Sequence, residues 1–334
     1  MSVGRTREPR PDPAPPPPVG TFTATVVRVD FGHCVIEVDS GAQHEALARG
    51  RVMGRHKALG NTVVVGDRVV VAPEAGHMMI TAVEARRNQF SRRAAGERLA
   101  EQVLAANLDQ LVLVTSISQP DFSPGFADRV LAQAEHGGLR ARLVLNKLDL
   151  DDSHEAGAIL AAYARAGYAG HAVCAKSGHG IDLLREACRG LRSLFVGHSG
   201  VGKSTLLNAL DPTLDLKSGR VVPKTGKGRH TTTAAWLVRG GSGIELIDTP
   251  GVRSFGLWGI DPATLDRAYP EFLPHLGHCK FNDCNHDAEP GCAVRAAVAS
   301  AAIDPRRYAG FLQLRAELTQ EAALHETRSR RGRS

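Results

Sequence analysis

Residues 192–210 read RSLFVGHSGVGKSTLLNAL. The apolar run LFV fits a buried strand and TLLNAL has helical spacing, so the octapeptide Gly197-His198-Ser199-Gly200-Val201-Gly202-Lys203-Ser204 lies at a strand-to-helix turn. In that context the pattern holds phosphates. Glycines let successive backbone N–H groups wrap the oxygens, Lys203 can reach the β and γ positions, and Ser204 can ligate magnesium. Thr205, next on the helix, is placed with them in the nucleotide site.

The base is read further upstream. Asn146-Lys147-Leu148-Asp149 ends the apolar strand RLVL, and a carboxylate at Asp149 can accept two hydrogen bonds from N1 and N2 of guanine, where adenine offers a bare acceptor at N1. GTP is therefore the expected nucleotide. About 25 residues later, Cys174-Ala175-Lys176 resembles the SAK element whose backbone N–H meets guanine O6, with cysteine where serine is usual. Downstream, Asp248-Thr249-Pro250-Gly251 follows the strand IELI: Asp248 is expected to hold magnesium through water, and Gly251 to offer its N–H to the γ-phosphate. Between the two, Gly228-Arg229-His230-Thr231-Thr232-Thr233 reads as a switch segment, with Thr232 completing the magnesium shell. Ordinary small GTPases begin with the phosphate loop and end with the base-reading elements. The order NKLD, CAK, phosphate loop, GRHTTT, DTPG is a circular permutation of that plan.

Around this core the 334 residues divide by texture. Hydrophobic residues at 43% and charged residues at 23% are ordinary for globular chains, and the formal charge of +6 permits a polyanionic partner. No run approaches the roughly 18 to 20 apolar residues of a membrane span, so no membrane protein is expected. Residues 1–19 read as a disordered proline-rich leader without the apolar core of a secretory signal, which places the chain in the cytoplasm. Residues 20–88 carry about five short β-branched runs, read as a small antiparallel, OB-like β barrel, although the spacing equally fits an SH3-like barrel, with Arg49, Arg51, Arg55, His56 and Lys57 clustered between strands. Residues 89–106 read as a linker, 107–258 as a doubly wound α/β domain, 259–327 as a helical domain, and 328–334 as a basic tail.

In that helical domain Cys279, Cys284, His286 and Cys292 offer three thiolates and an imidazole within 14 positions, enough for a closed tetrahedral structural zinc site; His278 is the alternative fourth ligand. The loop holds too few apolar residues to fold alone, so the metal is expected to supply its stability.

Taken together, the β domain, GHSGVGKSTLLNAL, GRHTTT, DTPGVRSFGL and CKFNDCNHDAEPGCAV resemble the circularly permuted, small-ribosomal-subunit-dependent GTPases, the RsgA family, over nearly all of the chain from about Gly20. The resemblance implies three domains and a GTPase that binds the 30S particle and its rRNA late in assembly, is stimulated by it and leaves after hydrolysis. Where Ras-like enzymes carry a water-orienting glutamine this chain has Val252, so intrinsic turnover is expected to be slow; His230 is the expected substitute, and Lys203 the second catalytic group. Two rival readings are a P-loop enzyme of another class, such as a metabolic kinase or metallochaperone, and an RNA-binding module with a weak GTPase. No sustained heptad pattern argues for a dimer, so a monomer is expected.

Overall fold

The computed structural model describes residues 20–30, 33–48, 62–94, 100–214, 235–241, 243–249, 252 and 254–331, with side chains to 324. The basic cluster from Arg49 to Lys57, the switch residues His230 and Thr232, Gly251 and the leader lie outside them.

Strands β1 (Phe22–Val29), β2 (Cys34–Glu37), β3 (Gln43–Ala48), β4 (Arg68–Glu74) and β5 (His77–Val83) are ordered β1-β2-β3-β5-β4, and β4 pairs back on β1. This closes a five-stranded barrel of OB type. Alternation fills it: Val69 and Val71 on β4, and Met78 and Ile80 on β5, point inward. The sequence pattern predicts antiparallel pairing throughout, but β3 and β5 are parallel. Because β4 returns to β1, its hairpin partner β5 is left beside β3. On β1, Ala24 and Val26 face the barrel core while Val27 packs into the main core of the molecule, which explains an unbroken buried run on this strand.

Residues 89–106, expected as a linker, instead contain a hairpin, β6 (Gln89–Arg93) and β7 (Glu101–Ala106). Its charged letters conceal a buried face. Phe90 is fully buried and stacks on Phe255 at 5.5 Å, and Arg93 forms a two-pronged ion pair with Glu321 at 2.6 and 2.8 Å.

The α/β unit follows as β8 (Gln110–Ser116), α1 (Pro124–His136), β9 (Ala141–Asn146), α2 (Ala156–Arg165), β10 (Ala169–Ala172), α3 (Ile181–Cys188), β11 (Arg192–Gly197), α4 (Lys203–Leu210), β12 (Trp236–Arg239) and β13 (Glu245–Asp248). Strand order is β10-β9-β8-β11-β13-β12, parallel except for β12. All seven residues of β8 are buried, as a strand covered on both faces requires. Leu111 and Leu113 face the core that holds α1 and α2, while Val112 and Val114 face α3 and α4. The short edge strand β12 pairs with β1 at Arg28 and Trp236, where the guanidinium lies 4.8 Å from the indole, so barrel and α/β unit share one eleven-stranded sheet.

Beyond the sheet, two 3₁₀ segments (Pro262–Ala268 and Pro270–His275) precede α5 (Ala293–Ala299) and α6 (Pro305–Arg331). Arg307, Phe311, Leu314 and Leu318 on α6 recur at helical spacing and are buried. At its start Arg307 is paired with Asp128 of α1 and with Glu271 (2.8 Å), and its guanidinium lies 4.7–5.6 Å from the rings of Tyr163, Tyr168 and Tyr269. One cation thus answers two buried carboxylates at the seam between the α/β unit and the C-terminal segment.

Candidate functional site

The carboxyl ends of parallel strands are where open α/β sheets bind ligands. Here β9, β11 and β13 end at Asn146, Gly197 and Asp248, so the permuted motifs converge on one edge of the sheet.

The phosphate loop is shaped by close approach. A side chain at Gly197 would meet the Val114 carbonyl oxygen at 2.5 Å, and Gly202, with φ of +86°, lies where a side chain would meet Asn146 Nδ2 at 2.6 Å. Asn146, 1% exposed, joins the three nearest loops: its Nδ2 donates to the Val201 carbonyl (2.9 Å) and its Oδ1 accepts from Ala175 N–H (3.1 Å). It therefore fixes the loops relative to one another. Lys147, with φ of +61°, turns the chain into the short 3₁₀ segment that carries Asp149, and the Cys174 thiol donates to Asp149 Oδ1 at 3.1 Å. The cysteine in place of serine keeps a donor on this carboxylate. Lys176 is exposed beside it.

Lys203, 8% exposed at the start of α4, places its ammonium on the Asp248 carboxylate and the Thr249 carbonyl. Burial raises the Asp248 pKa, and the ammonium opposes that shift. The Asp248 segment is docked onto the loop: Thr249 Oγ1 donates to the Phe195 carbonyl (2.8 Å), and Val252 N–H to the Gly197 carbonyl (3.1 Å). The Ser204 hydroxyl, one residue after Lys203, and the Asp248 carboxylate are hard oxygen donors of the kind magnesium takes.

In the C-terminal segment Cys279, Cys284, His286 and Cys292 bring their ligand atoms within 4.8 Å of one another. His278 does not join them. A tetrahedron with Zn–S of about 2.3 Å and Zn–N of about 2.0 Å puts S···S at about 3.8 Å and S···N at about 3.5 Å. The cluster has Cys279 Sγ to Cys292 Sγ at 4.0 Å, and His286 Nδ1 at 3.6 and 3.4 Å from the two sulfurs. The four residues thus fit a metal ion of zinc's coordination habit. The other ring nitrogen, Nε2, is 3.3 Å from Asp266 Oδ2, which presents Nδ1 to the thiols and pushes His286 up to about 9 in the metal-free chain. Ala293 N–H donates to Cys279 Sγ and Arg295 N–H to Cys292 Sγ, both at 3.4 Å, at the start of α5.

The RsgA GTPase family model matches residues 83–258. Relatives agree over nearly the whole chain: the small ribosomal subunit biogenesis GTPase RsgA of Gemmatimonas aurantiaca is 41% identical over 300 residues, covering 89% of this chain and 97% of that one. The chain belongs to the RsgA GTPase family. The RsgA of Chlorobaculum parvum is 40% identical over 303 residues, 88% of this chain and 97% of that one. Among solved structures, YjeQ from Thermotoga maritima superposes with a TM-score of 0.71 at 30% identity, over 90% of this chain and 99% of that one. YloQ, a circularly permuted GTPase, gives 0.67 at 26%, over 90% and 96%.

Three functional partners in this RsgA chain escape sequence reasoning: the clamping role of Asn146, Asp266 behind His286, and Arg307 at the seam. Each acts on a residue distant in sequence. Asp266 lies inside the 3₁₀ segment Pro262–Ala268, 20 residues before His286, and no local pattern marks it.

Proposed function

We propose that this chain is a GTP hydrolase that binds the small (30S) ribosomal subunit late in its maturation, is stimulated by it, and leaves when GTP has become GDP and phosphate. The observation that carries the reading is the convergence of Asn146, Asp149, the phosphate loop and Asp248 on one sheet edge, in permuted order, between an OB-type barrel and a Cys/His cluster. It is supported by relatives named small ribosomal subunit biogenesis GTPases.

In this reading Asp149 accepts from guanine N1 and N2, and the backbone at Cys174, Ala175 and Lys176 meets O6. The loop from Gly197 to Thr205 wraps the phosphates, and Lys203 moves its charge from Asp248 to the β and γ oxygens. Mg²⁺, arriving with the nucleotide, would be held by Ser204, Asp248 and Thr232 and would neutralise charge on those oxygens. Gly251 donates to the γ-phosphate. Val252, 4% exposed, has no group to orient water, so His230 positions the attacking water once the switch segment is ordered by the partner. Cys279, Cys284, His286 and Cys292 would hold one structural Zn²⁺, which would supply rigidity to the C-terminal arm that with the basic barrel grips rRNA. The domain limits that follow are 20–88 for the barrel, 107–258 for the GTPase and 259–327 for the zinc domain. Among the described residues no helix is long and apolar enough to cross a membrane; a cytoplasmic monomer fits a ribosomal partner.

The test is GTP turnover by the zinc-loaded protein alone and with purified 30S subunits, with 50S subunits and ATP as controls. Stimulation of at least tenfold by 30S alone is expected; equal rates with and without 30S would overturn the ribosomal reading. His230→Ala is expected to lower the stimulated rate far more than GTP affinity, and an unchanged stimulated rate would remove His230 from the mechanism.

A further inference from the structure

Beyond β13 the described residues form no helix or strand until the 3₁₀ segment at Pro262. A stretch without a ladder of its own must have its backbone groups satisfied by its surroundings, and here three elements supply partners in turn. Val252 N–H donates to the Gly197 carbonyl of the phosphate loop at 3.1 Å. Further on, the Gly256 carbonyl accepts from Arg93 N–H of β6 at 2.9 Å, and a side chain at Gly256 would meet Arg93 Cβ at 3.1 Å. Trp258 is then held at both its backbone groups by one side chain of α1. Its N–H donates to Gln133 Oε1 (2.8 Å) and its carbonyl accepts from Gln133 Nε2 (3.1 Å). Phe255 and Leu257 are buried between these points, Phe255 against Phe90 of β6. The strap from Val252 to Trp258 is thus fastened at both ends and in the middle.

Gln133 is 3% exposed. A buried amide is unfavourable unless its groups are paired, and here the oxygen and the nitrogen both go to Trp258, imitating one rung of a β-ladder.

The two elements that grip the strap also grip α6. From β6 the Arg93 guanidinium reaches both Glu321 oxygens, and from α1 Arg129 pairs with Glu317 and Asp128 with Arg307. Strap and C-terminal helix therefore rest on the same two supports. The strap begins next to Gly251, whose N–H goes to the γ-phosphate in the reading above, so a shift at that end bears on β6 and α1 together.

We propose that Gln133 and Arg93 are positioning residues for the γ-phosphate: by pinning the strap to α1 and to the β6–β7 hairpin, they couple binding of that phosphate to the seating of α6. This rests on the reading of the sheet edge as a GTP site and names how its γ-phosphate is sensed.

The experiment compares GDP with the non-hydrolysable analogue guanosine 5′-[β,γ-imido]triphosphate on the full chain. Gln133→Ala is expected to weaken the analogue about fivefold or more and GDP less than about twofold, because only the analogue carries the group the strap positions. Equal losses for both nucleotides are what a merely loosened fold gives, and they would overturn the role of Gln133. The half-exposed pair keeps the test valid if that variant does not fold. Arg93→Glu should weaken the analogue about threefold or more, and Arg93→Glu/Glu321→Arg should restore it, with GDP affinity steady throughout. A double variant no better than the single one would remove α6 from the device. In the parent, amide exchange over residues 307–318 of α6 should be about threefold slower with the analogue than with GDP, and Gln133→Ala should erase the difference. Exchange indifferent to the nucleotide in the parent would overturn the coupling. A parent that binds neither nucleotide overturns the GTP reading and this inference with it; a parent that binds both, beside variants that keep its analogue-to-GDP ratio, overturns this inference alone.

Discussion

The phosphate loop and the Cys/His cluster both gather donors on an irregular stretch of chain, yet they are held in opposite ways. Behind the phosphate loop stands a packed sheet: Leu194, Phe195 and Val196 are fully buried, Gly197 sits against the neighbouring strand, and Asn146 fastens the loop to the base-reading turns. Between Gly277 and Gly291, by contrast, His286 is the one buried residue, and Phe281 is 41% exposed. The first loop is shaped by backbone and packing before a ligand arrives. The second has its side chains in place and little apolar surface to keep them there, the situation in which a bound metal would supply the stability. A preformed cradle suits a ligand that comes and goes; a metal-dependent knot suits a permanent strut.

The seam joining the two regions offers the largest effect. Arg307→Ala leaves Asp128 and Glu271 buried without their cation and is expected to cost about 3–5 kcal/mol of stability, read by chemical denaturation. If the cost is under about 1 kcal/mol, the C-terminal arm is not fastened to α1 in this way. Next, Lys203→Ala should reduce GTP turnover about 100- to 1000-fold, the usual loss when a donor to the transferring charge is removed, while circular dichroism and zinc content stay at parent values. Loss of zinc in this variant would contradict the independence of the two regions.

The metal end is probed by Asp266→Asn. If Asp266 orients His286, competition with a chelator should show zinc affinity reduced about 10- to 100-fold, with GDP affinity unchanged. The smallest effect is expected at Asp304, which opens α6 by accepting Arg306 N–H at 2.9 Å and pairs with Arg165 and Arg306. Burial works against ionisation, but these partners hold its carboxyl below the ordinary value. Because the folded-state pKa is the lower one, the stabilisation is complete above about pH 4 and is lost as pH falls through the folded value. With half-exposed arginines as partners, Asp304→Asn should cost under about 1 kcal/mol at pH 7, and the gap to the parent should close in acid. A gap that is constant down to pH 2 would show that charge is not its source.

The same contrast explains what can be read from the letters alone. NKLD, GHSGVGKS and DTPG are contiguous, each marks a strand end, and their order carries the permutation, so the sheet edge is legible before any coordinates. The Cys/His spacing names its four donors for the same reason. What the letters hide is pairing across distance. The hairpin at 89–106 is masked because a register shift sets the buried Phe90 and Ser91 side by side, ahead of the paired Arg92 and Arg93, so no period-2 alternation marks the strand. Strand β12 is four residues long and gains its place from Trp236 against Arg28 and from pairing with β13. Asp266 and His286 are 20 positions apart, and Arg307 and Asp128 are 179. No local pattern joins such pairs.

The central claim is that the preformed sheet edge is a guanine nucleotide site read by Asp149, and exchanging the base tests it most directly. Xanthine carries an oxygen in place of the guanine N2 amine, so an amide at position 149 can donate where the carboxylate could only accept. Competition against a fluorescent GDP analogue should show the parent preferring GTP over both ATP and xanthosine triphosphate by at least 100-fold, and Asp149→Asn preferring xanthosine triphosphate over GTP. A parent that binds ATP as well as GTP, or an Asp149→Asn variant that keeps the parent's preference, would contradict the account.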